Sequence, residues 1–350
     1  MSPTDAPAGT LTPLAELTTL RVGGPADRLV HARTEVELVS TVAACDAAGE
    51  PVLVHGGGSN LLVGDDGFAG TVVKVATRGI AVDSSACAGA EVEVAAGEGW
   101  DELVAHSMSQ GWVGLEALSG IPGLVGATPI QNVGAYGAEV ADTISRVRTF
   151  DRHAAAVRTF AAADCGFGYR DSLFKRTPGR YVVCAVTFQL PLGDRSAPVR
   201  YAELARTLGI EVGQRAAAAD LRAAVLRLRR GKGMVLDDGD PDTWSAGSFF
   251  TNPLLSPDQA ASLPQGAPRY PAADGQVKTS AAWLIEHAGF AKGYGHGAAR
   301  LSSKHALALT NRGRARADDV LELAREIRAG VRTAYGITLM PEPVLVGCSL

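Results

Sequence analysis

Hydrophobic residues recur at the spacing of an α-helix near the start of the chain. Leu38, Val42 and Cys45 share one helical face, and Gly49 ends the pattern. The residues Thr34–Glu37 have the spacing of a capping box, in which a threonine and a glutamate bind the first backbone N–H groups of a helix. Together these features predict an amphipathic helix that begins within this box and ends at Gly49.

Similar patterns predict three more helices and several strands. The helices are expected at Trp100–Gln110, at Asp220–Arg230 and over a long stretch that contains Val320, Leu323, Ile327 and Val331. Strands are expected to start at Pro51 and His305 and to occupy Thr71–Val75, Glu91–Ala95, the surroundings of Phe167–Lys175, and Ile337–Val346. The chain therefore begins with a helix and continues with mostly strands, which glycine-rich segments connect.

The length and composition are those of a globular protein with more than one domain. The chain has 350 residues, of which 46% are hydrophobic and 20% are charged. Two domains, or three small ones, and a large core are expected for this length. A break in the pattern at Gly193–Pro198 predicts a domain boundary near residue 195. Residues 1–16, rich in proline, threonine and alanine, are expected to form a loose tail.

Charge and targeting features argue against several classes of protein. A formal net charge of -4 and a pI of about 6.0 offer no basic surface for nucleic acid. The first residues lack the basic and apolar segments of a signal peptide, and no apolar run is long enough to span a membrane. We therefore expect a cytoplasmic monomer with no nucleic-acid partner and no membrane insertion.

Cysteine and histidine do not occur at metal-binding spacings. The five cysteines are scattered and never form C-x-x-C, and the seven histidines form no H-E-x-x-H motif. We therefore expect buried, reduced thiols and no metal site. The cysteines are Cys45, Cys87, Cys165, Cys184 and Cys348.

Two glycine-rich segments indicate a ligand that contains phosphate. The first, His55-Gly-Gly-Gly-Ser-Asn60, follows the apolar run Val52–Val54. The second, Gly114–Gly137, is too long and too poor in helix or strand signals to be a simple turn. Consecutive backbone N–H groups in such loops form a concave anion site. Neither G-x-x-x-x-G-K-[ST] nor a helix-opening G-x-G-x-x-G is present. We therefore expect a pyrophosphate-binding loop, or cradle, of a different type from these two motifs.

For the first loop alone, a tight turn without a ligand is an equal alternative. The second loop changes this balance because it carries Thr128, Gln131 and Asn132, which can form hydrogen bonds, as Ser59 and Asn60 do in the first. Two such loops favour a large ligand with a phosphate end and a polar ring.

Five motifs, in this order and at fitting separations, resemble the UDP-N-acetylenolpyruvoylglucosamine reductase (UDP-N-acetylmuramate dehydrogenase) family. They are VHGGGSNLLV, SGIPGLVGATPIQNVGAYGAEV, FGYRDSLFK, AGSFFTNP and PEPVLVG, and the resemblance runs from about Leu17 to Gly347. It implies an α+β fold, with a two-lobed FAD-binding domain of the vanillyl-alcohol-oxidase (PCMH) type and a C-terminal α+β substrate-binding domain. The implied bounds are 17–194 for the FAD-binding domain (lobes of about 17–80 and 81–194), 195–340 for the substrate-binding domain, and 341–350 for a C-terminal strand that carries Glu342.

The implied activity is NADPH-dependent reduction of UDP-N-acetylglucosamine enolpyruvate to UDP-N-acetylmuramate, a step of bacterial peptidoglycan synthesis. Non-covalent FAD would carry a hydride from NADPH to C3 of the enolpyruvyl group, and a proton would be added at C2. NADPH and the UDP-sugar would use one cleft in turn. The resemblance implies FAD contacts from both glycine-rich loops: Gly56, Gly57, Gly58, Ser59, Asn60, Gly123, Gly126, Thr128, Ile130, Gln131, Asn132, Gly134, Ala135 and Tyr136.

Three catalytic residues are implied. Arg170 would hold a carboxylate through its paired N–H groups, and its structural alternative is an ion pair with Asp171 or another acid. Ser248 would donate the proton to C2, which requires a strongly basic acceptor because a hydroxyl is a weak acid, and its alternative is a serine in a turn or at the start of a strand. Glu342, between two prolines, would lie opposite the arginine and polarise the substrate carboxyl, and its alternative is an exposed glutamate in a turn.

Four further residues are implied to contact the substrate: Tyr169, Tyr201, Lys232 and Asn252. His305 is another candidate for the substrate site, and its structural alternative is a strand histidine whose hydrogen bonds are satisfied within the protein. Tyr201 matches the tyrosine of a mobile loop over the nucleotide and places the chain in the tyrosine-loop (type I) subclass. Lys232 matches a lysine near the diphosphate, but here an unusually long acidic segment separates it from Ser248. The structural alternative is that Lys232 and its arginine neighbours complement the dipole at a helix C-terminus.

Two other functions are compatible with parts of this pattern. A flavin oxidase with the same FAD fold would need a base that deprotonates its substrate, a role for which Ser248 and Arg170 are poorly suited. A non-catalytic flavin or UDP-sugar sensor would bind without turnover and would have no use for a proton donor.

Overall fold

The computed structural model describes residues 12–85 and 89–350. Most of the predicted tail, residues 1–11, and Cys87 therefore lie outside the described residues. The helices are α1 (Glu35–Ala48), α2 (Trp100–Ser109), α3 (Leu173–Arg176), α4 (Ala202–Leu208), α5 (Ala218–Gly231), α6 (Pro257–Ala261), α7 (Ala281–His287) and α8 (Ala317–Tyr335).

The strands are β1 (Ala26–Ala32), β2 (Val52–His55), β3 (Leu61–Val63), β4 (Phe68–Val75), β5 (Ile80–Ser85), β6 (Gly89–Ala95), β7 (Gly134–Ala135), β8 (Ala138–Glu139), β9 (Ile144–Asp151), β10 (Ala156–Ala161), β11 (Tyr181–Leu190), β12 (Leu254–Leu255), β13 (Tyr270–Pro271), β14 (Val277–Lys278), β15 (Ala299–Leu301), β16 (Leu309–Asn311) and β17 (Val344–Val346).

The helix predicted after residue 34 begins and ends as its sequence requires. The Thr34 hydroxyl accepts the Glu37 N–H at 3.1 Å, and a Glu37 carboxylate oxygen accepts the Thr34 N–H at 3.2 Å. Gly49 ends the helix in the left-handed conformation, with φ of 66°. The other three predicted helices and the strands predicted at 51, 71–75 and 91–95 are also confirmed.

Two sheets form the first half of the chain. β1, β4 and β2 make a parallel sheet, and β10, β9, β11, β6 and β5 make an antiparallel one. One hydrophobic core joins both, because Leu38 of α1 and Val73 of β4 belong to the same buried cluster as Phe188 of β11. The glycine-rich segment 114–137 crosses between these sheets and the rest of the protein.

The second half has two separate cores. α4 and α5 pack around a small cluster that includes Leu204 and Val225. A larger cluster joins α7 and α8 to the segment around Phe249 and Phe250. The predicted domain boundaries stay predictions, but this segment of α4 and α5 has its own buried core.

The C-terminal strand returns to the first half of the molecule. β17 pairs in parallel with β3, with Val344 opposite Leu61 and Val346 opposite Val63. The same small core contains Leu14, which is fully buried. Residues 14–17 form a short 3-10 helix, so the prediction that the loose tail extends to residue 16 is wrong for these residues.

The strands expected around Phe167–Lys175 are confirmed, because β9, β10 and β11 lie on both sides of it. The segment itself forms a turn and the short α3, since the Ser172 hydroxyl caps α3 by accepting the Lys175 N–H at 3.2 Å. Two other predicted strands are wrong or too long. Of 337–346 only β17 is a strand, since Pro341 and Pro343 have no N–H for a ladder. His305 lies in a loop, and the strand begins only at Leu309.

None of the helices within residues 12–85 and 89–350 combines the length and apolar character needed to cross a membrane. The same residues contain no group of three or more histidine, cysteine or acidic side chains arranged for a metal ion.

Loss of the cap on α1 should lower stability without changing the fold. Thr34→Ala removes the side-chain acceptor for the Glu37 N–H, so we expect the free energy of unfolding to fall by about 1 kcal/mol. Urea unfolding followed by circular dichroism measures this. Ser40→Ala, in the exposed part of the same helix, is the matched control, and equal stability of Thr34→Ala and wild type would contradict the prediction.

Candidate active site

The two glycine-rich loops meet directly. A Cβ atom on Gly57 would lie 2.7 Å from the Cα atom of Gly123. This distance is shorter than Cβ atoms in proteins keep from other heavy atoms. The Ser59 hydroxyl donates to the carbonyl of Pro122 at 3.1 Å, which fixes one loop on the other. The pairing of these two loops, expected from sequence, therefore depends on the missing side chains at Gly57 and Gly123.

The first loop suits the pyrophosphate of FAD. Within the described residues, the backbone N–H groups of 56–60 donate to no protein acceptor. A Cβ on Gly56 would have no neighbour closer than 3.9 Å, so protein packing does not explain that glycine. Unused N–H groups beside open space are the donors that a phosphate requires.

Not every predicted FAD residue faces open space. A Cβ on Gly126 would lie 2.5 Å from Cβ of Ala96, so this glycine is required by packing on the end of β6. The Thr128 hydroxyl is buried and donates to the Val125 carbonyl at 2.8 Å. Ile130, by contrast, is partly exposed.

Asn132 organises the second loop. It is buried, with φ of 46°, and its side-chain NH₂ donates to Glu139 at 2.7 Å and to the Gly168 carbonyl at 3.0 Å. Its side-chain oxygen accepts the N–H of Ala141 at 3.2 Å. The side chain therefore holds the loop that precedes Arg170 against β8.

Arg170 is fixed by backbone carbonyls of that loop. Its Nη2 donates to the Gly134 carbonyl at 2.7 Å, and its Nη1 lies 3.5 Å from the carbonyl oxygen of Asn132. A Cβ on Gly134 would lie 3.2 Å from Nη1, so the glycine leaves room for the guanidinium. The Arg170 backbone has φ of 51°, and Lys175 Nζ donates to its carbonyl at 2.7 Å.

The ion-pair partner of Arg170 is Glu342. Its Oε1 lies 3.2 Å from Arg170 Nε, and both side chains are largely buried. The alternative partner, Asp171, pairs with Arg176 instead. Burial raises the pKa of Glu342, while Arg170 and Lys175 oppose that shift. A carboxyl with a raised pKa is better suited to lie beside a second carboxylate than an ordinary one.

Asn60 connects the C-terminal segment to both loops. Its side-chain NH₂ donates to the Gln131 side chain at 3.0 Å and to the Glu342 carbonyl at 3.3 Å. Its own carbonyl accepts the Val344 N–H at 2.9 Å.

Ser248 lies beside this assembly. The carbonyl of the next residue, Phe249, accepts a hydrogen bond from the Glu342 N–H at 2.8 Å. The Phe249 N–H donates to the Leu307 carbonyl at 2.7 Å. Gly247, before the serine, has φ of 75°. Ser248 is partly exposed, and its hydroxyl forms no hydrogen bond within the described chain, so it can donate to a ligand.

Tyr169 and Asn252 lie together on the other side of Arg170. Both line a cavity of about 500 Å³ that Arg170, Lys175 and Met340 also line. Lys278 Nζ lies 4.5 Å from the centroid of the Tyr169 ring. The side-chain oxygen of Asn252 accepts the Ala281 N–H at 2.9 Å and is thereby fixed at the start of α7.

Tyr201, Lys232 and His305 belong to a third group. The Tyr201 and Tyr136 rings pack edge to face at 5.6 Å, and Lys232 Nζ lies 5.9 Å from the Tyr136 ring. Burial, together with Lys232, Lys292 and Arg229, lowers the pKa of His305 to about 4. Tyr201, Lys232 and His305 therefore lie in a region of positive charge.

Two comparisons with families match separate parts of the chain. A model described as an FAD binding domain matches residues 26–159, and a model of the UDP-N-acetylenolpyruvoylglucosamine reductase C-terminal domain matches residues 240–346.

Relatives match nearly the whole length. A UDP-N-acetylenolpyruvoylglucosamine reductase from Cutibacterium acnes is 61% identical over 97% of this chain and 90% of its own, and one from Streptomyces avermitilis is 55% identical over 97% and 94%. The crystal structure of the UDP-N-acetylenolpyruvylglucosamine reductase from Thermus caldophilus superposes with a TM-score of 0.66 at 29% identity, covering 96% of this chain and 98% of that one.

The chain belongs to the UDP-N-acetylenolpyruvoylglucosamine reductase family. This confirms the resemblance, the enzyme class, and the α+β fold with an FAD-binding domain and the C-terminal domain of this family. The roles of individual residues stay predictions.

The structure places two further residues, which sequence reasoning did not single out, beside the predicted substrate residues. Arg229 lies in an arginine cluster attributed to the helix dipole, yet burial lowers its pKa to about 10 and its Nε has no partner among the described residues. Glu203 pairs with Lys232 at 2.6 Å. The only sequence signal for Glu203 is its place two residues after Tyr201.

The contact of the two loops in this reductase can be tested at Gly57. Gly57→Ala places a Cβ against Gly123 and forces the loops apart, so we expect FAD to bind about tenfold or more weakly. Quenching of flavin fluorescence on titration measures the dissociation constant. Gly297→Ala, where a Cβ meets nothing within 4 Å, is the control. Unchanged FAD affinity in Gly57→Ala would exclude the steric explanation.

His55, directly before the cradle, should make stability depend on pH. It is fully buried, and neither ring nitrogen makes a hydrogen bond of normal geometry to the described residues. Burial and then Lys74 lower its pKa from 6.5 to about 4. Because the unfolded chain takes up this proton first, the stability from His55 is complete above pH 6.5 and is lost as the pH falls towards 4.

We therefore expect wild type to lose about 2 kcal/mol more stability than His55→Leu between pH 7.5 and 5. Urea unfolding at both pH values, at saturating FAD, measures the difference. His31→Leu, at an exposed position of β1, is the control. Parallel losses in wild type and His55→Leu would show that His55 is protonated in the folded state.

Proposed function

We propose that the protein catalyses NADPH-dependent reduction of UDP-N-acetylglucosamine enolpyruvate to UDP-N-acetylmuramate, with Ser248 as the proton donor to C2. The observation that carries this proposal is the convergence of Arg170, Glu342 and the Ser248 segment through the Arg170–Glu342 ion pair and the hydrogen bond from Glu342 N–H to Phe249. Bound FAD would accept a hydride from NADPH and deliver it to C3 of the substrate.

Arg170 is suited to hold the substrate carboxylate. A guanidinium has five N–H donors, of which two are directed at the carbonyls of Gly134 and Asn132, while Nε lies in the ion pair with Glu342. The remaining donors can bind a carboxylate whose charge grows when hydride addition builds electron density at C2. Glu342, with its raised pKa, can share a proton with that carboxylate and so avoid repulsion.

Ser248 is suited to deliver the proton. Its hydroxyl is weakly acidic, so it donates only to a strongly basic centre such as the electron-rich C2. Gly247 and the hydrogen bonds of Phe249 fix the backbone on both sides of the serine. Without an internal acceptor in the described chain, the hydroxyl does not have to break a protein hydrogen bond before it reacts.

The positive region around Lys232 suits the diphosphate of the UDP-sugar. Lys232, Arg229 and Lys292 lie near His305, and Tyr201 lies over Tyr136 at the edge of this region. We assign Tyr169 and Asn252 to the substrate as well. The cytoplasmic location and the monomeric state expected from the sequence stay predictions.

Anaerobic absorbance spectroscopy of the flavin tests the proposal against both alternatives. NADPH should bleach the flavin, and the enolpyruvyl substrate should restore the oxidised spectrum at once. Bleaching that only dioxygen reverses would support a flavin oxidase. Binding of both ligands without any redox change would support a sensor.

Ser248→Ala should block the second half-reaction only. We expect reduction of the flavin by NADPH to be unchanged, and reoxidation by substrate to be slowed at least about 100-fold, because the proton donor is lost. Stopped-flow absorbance measures each half-reaction separately. Ser262→Ala, at the exposed end of α6, is the control. Near-normal reoxidation in Ser248→Ala would overturn the assignment of this serine.

A further inference from the structure

The Glu203 carboxylate lies next to Lys232, at a position that also suits the negative charge of a phosphate. Its Oε2 lies 2.6 Å from Lys232 Nζ, and both side chains are about one-third exposed. Glu203 is in the first turn of α4, which starts directly after Tyr201, and Lys232 follows the last residue of α5. The ion pair therefore connects residues 199–205, here called the Tyr201 segment, to the end of α5.

The ion pair lies in a positively charged neighbourhood, in which Asp101 also acts on Arg229. Among the described residues, Glu203 is the only carboxylate that forms an ion pair with Lys232, Arg229 or Lys292. These three cations lie around His305. Tyr136, from the second glycine loop, lies near both Glu203 and Arg229, and burial raises the pKa of its phenol to about 12.

We propose that Glu203 is a positioning residue that neutralises Lys232 and holds the Tyr201 segment until the diphosphate of a substrate displaces it. The proposal rests on the proposed function, which assigns Lys232 to that diphosphate. A diphosphate on Lys232 would bring negative charge next to Glu203, so the carboxylate has to move away or weaken binding. Release of Glu203 would then free the Tyr201 segment to rearrange over the bound nucleotide.

The proposal predicts that loss of the Glu203 charge improves ligand binding. Glu203→Gln keeps the size of the side chain but removes the competing charge, so we expect UDP to bind the FAD-loaded enzyme about fivefold more tightly. Isothermal titration calorimetry with UDP measures this without turnover. In the absence of UDP, amide hydrogen exchange over residues 199–205 should be faster than in wild type, because the tie to α5 is weakened.

Glu211→Gln is the matched control, because Glu211 is exposed in the same segment and forms no ion pair within the described chain. A merely structural role for Glu203 predicts the opposite sign, with weaker UDP binding. In a Lys232→Met background, Glu203→Gln should have no further effect on UDP affinity. If Glu203→Gln does not fold, Glu203→Ala is measured in the same way.

Unchanged or weaker UDP binding by folded Glu203→Gln would overturn the proposal, as would an effect that persists without Lys232. These outcomes leave the proposed function intact, because wild type still binds UDP and still reoxidises its flavin with the enolpyruvyl substrate. If wild type neither binds UDP nor reacts with that substrate, the proposed function and this inference both fail.

Discussion

The parallel pairing of β17 with β3 is the constraint on which the active site depends. β3 directly follows the first glycine-rich loop, so the three backbone positions from Val344 to Val346 fix the chain end against the proposed FAD cradle. Asn60 reinforces this pairing through its carbonyl and its side chain, and it also binds Gln131 of the second loop. Glu342 reaches Arg170 only because this strand addition brings the last residues back across the molecule.

The same arrangement explains why a largely buried charge pair is tolerated here. Removing a guanidinium and a carboxylate from water is costly unless each finds several polar partners. Arg170 has carbonyls from the second loop in addition to Glu342, and the Glu342 carboxylate has Lys175 as a second nearby cation. A substrate carboxylate can therefore approach Arg170 while the guanidinium keeps its backbone partners.

The sequence predicts well the parts of this protein that local rules decide. The first helix follows from its own cap and stop residues, and the glycine loops follow from their composition. Strands are expected on both sides of the segment that contains Arg170, but Ser172 and distant carbonyls set the conformation of the segment itself. The pairing of Arg170 with Glu342, and the burial of Arg229, arise from tertiary contacts and have no local signal in the residues themselves.

Strained backbone is concentrated at the proposed site. Six non-glycine residues in the described chain have positive φ, and three of them, Asn132, Tyr136 and Arg170, belong to the second glycine loop or to the arginine that it holds. Each such conformation costs of order 1 kcal/mol and persists only where surrounding contacts determine it. Here those contacts are the Asn132 side-chain bonds and the carbonyls around the guanidinium. The loop is therefore held in shape before any ligand binds, which reduces the ordering that a ligand must impose on it.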